Sequence, residues 1–170
     1  MNLYIRCFFV WVSSFFKEKL KTLETSVLRF VVLPTDLDVY GHMNNGRYLT
    51  MMDLGRIDLL LRSEIGQYAL QQRWNPIIAS SMMRYRRSLK VFQNYQLRTR
   101  IVAWDDKWFY LEQVFERKGH IIAIGFVKGL FVSTKGKVPT TAVFKGVTTD
   151  EVSPAIPDQM TQWQLADYWR

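Results

Sequence analysis

Between Asn45 and Ser63 the chain reads NGRYLTMMDLGRIDLLLRS, and this run limits the architecture more than any other part of the sequence. Tyr48, Leu49, Met51, Met52, Leu54, Ile57, Leu59, Leu60 and Leu61 cover more than one stripe of a helical wheel. A helix that is apolar on so much of its circumference must be buried on most sides. Gly46 and Gly55 allow close backbone approach, and Gly66 suits the position just past the helix end.

The remaining segments supply strands to surround it. SVLRFVVL, from Ser26 to Leu33, is rich in β-branched residues and stops at Pro34. Ile77–Phe92, Gln96–Trp104, Lys107–Arg117 and His120–Thr134 also read as strands, separated by Gln93-Asn94-Tyr95, Asp105-Asp106 and Lys118-Gly119, each the size of a hairpin turn. Four successive strands predict an antiparallel meander. One strand, one long apolar helix and four strands fit an α+β domain in which the sheet wraps around the helix, the hotdog fold. At 170 residues and 48% hydrophobic composition, the chain suits one such domain. The expected division is an amphipathic helix in 1–22, the domain in 23–135, and a tail in 136–170 whose QMTQWQLADYW stretch forms a short helix packed on the domain.

LYIRCFFVWVSSFF, Leu3 to Phe16, would span only about 21 Å as a helix, short of the hydrocarbon core of a bilayer. Arg6, Ser13, Ser14 and Lys17 share one side at helical spacing; Phe8, Phe9, Trp11, Val12, Phe15 and Phe16 form a broad apolar face, with Lys19 and Lys21 following. No small-residue cleavage site follows, so a helix kept in the mature protein is expected. Two readings stay open: a membrane-surface anchor through residues 3–20, or a helix packed on its own domain or on a partner subunit. A single cysteine, Cys7, excludes an internal disulfide and suggests a reducing, cytoplasmic setting, and two histidines are too few for a zinc cluster. The net charge of +8 attracts anions without choosing among nucleic acid, an acidic leaflet and a phosphorylated small molecule.

The loop before the long helix, PTDLDVYGHMNNGRY from Pro34 to Tyr48, crowds two carboxylates, a glycine, a histidine and two asparagines. It resembles the signature of the hotdog thioesterases of the 4-hydroxybenzoyl-CoA type, particularly the branch that includes thioesterase superfamily member six. The DLD, HMNN, RYL and WDD stretches and the Arg87-Ser88-Leu89 step carry this likeness, which runs from about Val27 to Thr134. The resemblance implies hydrolysis of a fatty or aromatic acyl-CoA, or of acyl carrier protein, by a homodimer or homotetramer with its site at the subunit junction. Coenzyme A enters only as part of the substrate, and no cofactor is implied. By position, Asp38 matches the catalytic aspartate and the Asn45 backbone N–H the amide that polarises the carbonyl. His42 is a second catalytic candidate, able to orient water or Asp38. Asp36 braces the loop.

Elementary chemistry is consistent with that assignment. A thioester carbonyl is an activated electrophile with a good leaving group, so a carboxylate and an oxyanion stabiliser suffice. A carboxylate just before a helix start meets both needs, because the first helical N–H groups lack partners and carry the positive end of the helix dipole. Gly41 makes the tight turn, while Asn44 or Asn45 caps the helix; these three and Tyr48 are the expected substrate contacts in the loop. Taken alone, Asp and Asn at a helix entrance are also ordinary capping chemistry.

From Asn75 to Trp104 there is no acidic residue. Arg84, Arg86 and Lys90 share parity on one expected strand, as do Arg98 and Arg100 on the next, so pairing of these strands would give one cationic strip. Arg84, Arg86, Arg87 and Lys90 are thereby candidates for the phosphates of coenzyme A or for an acidic carrier protein; a solvated sheet face is the plain alternative. Met51, Met52, Met82 and Met83 suggest either an acyl pocket or ordinary core. No nucleotide-binding loop, serine elbow or nucleic-acid motif is present, so nucleic acid is not an expected partner. A non-catalytic hotdog protein that binds acyl-CoA or lipid, or serves as a membrane-associated interaction protein, is the remaining alternative.

Overall fold

In the computed structural model, which describes residues 2–147 and 152–166, the apolar run forms α2, Asn45–Arg62. Met51, Met52, Leu54 and Leu59 are buried on it, each such side chain contributing about 1.5–3 kcal/mol on leaving water. The other elements are α1 (Asn2–Ser14), β1 (Ser26–Val31), a 3-10 turn (Pro34–Asp36), α3 (Glu64–Gln71), β2 (Asn75–Tyr85), β3 (Asn94–Trp104), β4 (Phe109–Arg117), β5 (His120–Ser133), β6 (Gly136–Val138), α4 (Thr140–Lys145) and α5 (Asp158–Ala166).

The six strands form one antiparallel sheet in the order β1-β3-β4-β5-β2, with β6 on the end of β5. Alternation sets its inner face: Tyr95, Leu97, Thr99 and Ile101 of β3 are buried while Arg98 and Arg100 point outward, and the register shift after Ile101 turns Ala103 to the outer face. At Gly55 the helix lies directly on this face; a Cβ there would sit 2.4 Å from Thr99 Oγ1 and 2.9 Å from Gln113 Nε2. On the outer face Met160 of α5 is buried with Ala103 and Tyr110. A sheet curled around a central helix is the hotdog fold. Tyr168 and Trp169 of the anticipated tail helix lie outside the described residues.

The connections depart from the sequence reading. The expected four-strand meander holds only for β3-β4-β5; β2 pairs with the far side of β5, starting with Asn75 opposite Val132. The chain reaches that edge through α3, which the sequence reading left as a polar stretch. Gly66 lies inside α3 and not past a helix end: its N–H donates to Ser63 Oγ, and a Cβ would stand 1.9 Å from the Leu60 carbonyl oxygen. β2 ends at Tyr85, short of the expected Phe92, because the N–H groups of Arg86 and Arg87 both donate to the Ile122 carbonyl and break the ladder alternation. The segment 86–93 then crosses to the opposite edge, where the Phe92 N–H reaches the Val32 carbonyl.

The polar side of α1 faces the domain. Arg6 and Ser14 are turned inward with Val10, while Tyr4, Phe8, Phe9, Trp11, Phe15 and Phe16 are exposed. Farther along, Lys17 and Arg62 both pair with the fully buried Asp58, which also accepts from Ser26 Oγ. Among the described residues no helix is long and apolar enough to cross a membrane.

Candidate active site

The loop between the 3-10 turn and α2 is closed by its own backbone. The Asp38 N–H donates to the His42 carbonyl at 2.8 Å, and Gly41, at φ +74°, donates to the Asp38 carbonyl at 3.1 Å. Only a residue without a Cβ takes that φ without strain. Asp38 Oδ1 accepts the N–H groups of Tyr40 at 2.9 Å and His42 at 3.3 Å. Its other oxygen, Oδ2, accepts no hydrogen bond among the described residues and is free for water or substrate.

The start of α2 faces the same space. Asn44 is the N-cap, its side-chain oxygen taking the Gly46 N–H at 2.8 Å. The Arg47 N–H goes to the Asn44 carbonyl, so the Asn45 N–H is left without an acceptor among the described residues. Such a donor at the positive end of an 18-residue helix is placed to meet developing negative charge. Tyr85 at the end of β2 donates its hydroxyl to the Asn45 carbonyl at 3.0 Å and ties the helix start to the sheet edge.

Asp38, His42, Asn45, Tyr48, Arg86 and Arg87 line one cleft of about 480 Å³, with Tyr40, Met43, Tyr85 and Ser88 completing it. Tyr48 is its buried floor, edge-on to Tyr85 and Phe115. Burial pushes the Tyr48 hydroxyl up to about 12, and hydrogen bonding to the Leu89 backbone opposes this only in part. Burial raises Tyr85 as well. Both phenols are therefore neutral near pH 7 and serve as donors, not bases.

The crossing segment 86–93 is what brings cations to the loop. The Met43 N–H donates to the Leu89 carbonyl at 2.8 Å, and His42 forms an isolated bridge with Lys90. Arg86 and Arg87 thus reach the cleft, while Lys90 stands beside the loop outside the cleft lining and Arg84 stays exposed on β2, opposite Ile124. The continuous cationic strip does not form: β4 and β5 separate β2 from β3, and Arg100 is paired with Glu112 at 2.8 Å. Tyr85 is not a candidate from sequence, and Ser88 enters there only within the Arg87-Ser88-Leu89 step, because only the crossover places them at the loop.

Asp36 braces the loop from below. Its side chain is 1% exposed and lies between Arg6 at 2.7 Å and Arg47 at 3.1 Å. A second hollow, about 200 Å³ and mostly apolar, lies farther along α2 among Ile57, Leu60, Ile78, Phe109 and Phe131, with Asp53 and Arg56 also on its wall. It shares no lining residue with the Asp38 cleft. Met51 and Met52 line neither hollow and are fully buried core.

Comparison with known proteins gives the geometry a context. Residues 32–164 match the model of the thioesterase-like superfamily. Protein THEM6 of Xenopus laevis is 35% identical over 136 residues, which is 78% of this chain and 64% of that protein; the chain thus spans less than two thirds of that relative's length. Among solved structures, the probable thioesterase YbaW of Escherichia coli superposes with a TM-score of 0.66 at 21% identity, over 71% of this chain and 93% of that one. The protein SAV2348 of Staphylococcus aureus, solved in complex with CoA, gives 0.64 at 10% identity, over 84% of this chain and 96% of the other.

Proposed function

The chain belongs to the thioesterase-like superfamily, and from that premise we propose that it hydrolyses acyl-CoA thioesters with Asp38 as general base or nucleophile. The observation that carries this reading is the free Oδ2 of Asp38 in the same cleft as the unbonded N–H at the start of α2. With the thioester oxygen at the Asn45 N–H, Asp38 takes a proton from water as the water oxygen bonds to the carbonyl carbon. The oxyanion collapses, the C–S bond breaks, and the thiolate leaves to be protonated by solvent. In the covalent variant, Oδ2 attacks the carbonyl carbon, the C–S bond breaks as the thiolate leaves, and water cleaves the resulting anhydride to regenerate the carboxylate. Arg86 and Arg87, exposed at the cleft rim, suit the phosphates of coenzyme A. His42 lies beside Asp38 and orients the attacking water.

A homodimer built on β2 completes the site. This strand is an eleven-residue sheet edge with Ile77 and Ile78 exposed, a surface that a monomer does not ordinarily leave bare. Antiparallel pairing of two copies sets the Pro76 end of one strand against the Tyr85 end of the other. The apolar hollow of one protomer, which includes Pro76 and Ile78, then adjoins the Asp38 cleft of the other and receives a fatty or aromatic acyl group. The exposed aromatic face of α1, followed by the exposed Lys19 and Lys21, supports peripheral contact with an anionic leaflet.

The deciding experiment is thiol release across short, long and aromatic acyl-CoAs, with acyl carrier protein thioesters in parallel. Turnover of one class supports the reading. Saturable acyl-CoA binding with no thiol released from any of them would replace it with a non-catalytic acyl binder.

A further inference from the structure

Arg6 is a cation of α1 that plays no part in the chemistry proposed above. Its side chain is only 11% exposed. Nη2 donates to Asp36 Oδ2 at 2.7 Å and to the Val31 carbonyl at 3.0 Å, and Nη1 lies 3.1 Å from Met51 Sδ. The same carboxylate accepts the Leu33 N–H at 2.9 Å through Oδ2 and pairs with Arg47 Nε at 3.1 Å through Oδ1. The Asp36 carbonyl accepts the N–H of Asn44, the α2 cap, at 2.9 Å. One buried carboxylate therefore joins α1, the end of β1, the segment two residues ahead of Asp38 and the first turn of α2.

We infer that Arg6 is a positioning residue: through Asp36 it fixes the Asp38 carboxylate relative to the Asn45 N–H. Holding α1 in place does not require it, because Val10 is buried and Lys17 already pairs with Asp58 at 2.9 Å. Burying a guanidinium and a carboxylate adds little net stability over an apolar pair of the same size, whereas its directional bonds set geometry. What Arg6 supplies is alignment of two groups on different elements, Asp38 from the loop and Asn45 from the helix. The inference rests on Asp38 being the reacting group.

The test uses the full chain with Arg6→Met, Arg6→Lys and, as a control that loosens α1 without touching Asp36, Val10→Ala. Each is assayed for kcat and KM on the acyl-CoA that the wild type turns over and for amide hydrogen exchange across 37–46. Arg6→Met is expected to lower kcat about 10- to 100-fold with KM little changed, the penalty of a misplacement on the order of 1 Å. Its exchange across 37–46 should quicken, and Arg6→Lys should restore most of both. Val10→Ala should lower melting temperature while leaving kcat and loop exchange near wild type. Wild-type kcat and exchange in Arg6→Met, or equal losses in Val10→Ala, would overturn the inference. If the wild type hydrolyses nothing, the thioesterase reading fails, and the exchange data alone decide whether Arg6 sets the loop.

Discussion

Replacing Asp38 by Asn and by Ala separates a reacting carboxylate from a turn-forming side chain. In the structure Oδ1 accepts two backbone N–H groups, from Tyr40 and His42, while Oδ2 is left for chemistry. Asparagine keeps an oxygen that can accept both bonds and is itself a favoured turn residue. Alanine loses both, at about 0.5–1 kcal/mol each for a half-exposed site, so the melting temperature should fall by about 2–8 °C for a chain of this size. Neither variant has a base, so both should lose about two to four powers of ten in kcat. The expected pattern is therefore equal loss of turnover with unequal loss of stability. Thiol release with purified chain gives the first, and a thermal melt followed by circular dichroism gives the second. Asp38→Asn with wild-type turnover, alongside a crippled and destabilised Asp38→Ala, would mean that Asp38 only shapes the turn.

The packing of α2 is equally testable. Gly55→Ala gains about 1 kcal/mol of helix propensity but drives a methyl into the Thr99–Gln113 hydrogen bond, which is 2.9 Å long and fully buried. Overpacking costs typically 1–3 kcal/mol and loss of a buried bond about 1 more, so denaturant titration should show net destabilisation of about 1–3 kcal/mol. Tyr48 gives a pH signature. Its folded value near 12 lies above the ordinary value of 10, so the native state holds the proton longer than the unfolded chain does. That contribution is complete below pH 10 and is lost as pH rises toward 12, a fall that Tyr48→Phe should make shallower in urea titrations across this range. Replacing Arg86 and Arg87 together by Ala should raise KM for acyl-CoA about 5- to 20-fold at low ionic strength with kcat nearly unchanged. Added salt should shrink that difference; an unaltered KM would remove these arginines from substrate binding.

Fold elements with strong local pattern were legible in the sequence. The density of apolar residues around α2 demanded enclosure, and β-branched alternation located β1, β3, β4 and β5 to within a few residues. Gly55 was readable as a close approach because a glycine inside an otherwise strong helix former has few other uses. Gly66 misled for the same reason: a glycine after a long helix looks like a terminator, yet it opens a second helix capped by Ser63. The far placement of β2 left no local trace. An edge strand and a neighbouring meander strand have the same alternation, and the connection that decides between them, residues 86–93, reads as strand up to Phe92, which leaves a separator of hairpin size.

The candidate site divides along the same line. Asp38, Gly41, His42, Asn44 and Asn45 lie within one loop and helix start, so their proximity follows from chain continuity and the turn at Gly41. The cations needed topology. A strip counted by strand parity would have joined Arg84 to Arg98 and Arg100, but β2 and β3 stand on either side of β4 and β5. Arg86 and Arg87 reach the cleft because they fall where β2 stops being a strand and the chain turns under the Asp38 loop. Arg6 is the extreme case: thirty residues from Asp36 and on the polar side of an aromatic helix, it reads as a solvent-facing charge. A helix with Phe8, Phe9 and Trp11 turned outward and an arginine turned inward inverts the usual amphipathic order. The inward half of that inversion has its cause in the structure, because Asp36 holds Arg6 at 2.7 Å. The outward half is the apolar face on which the proposed leaflet contact rests.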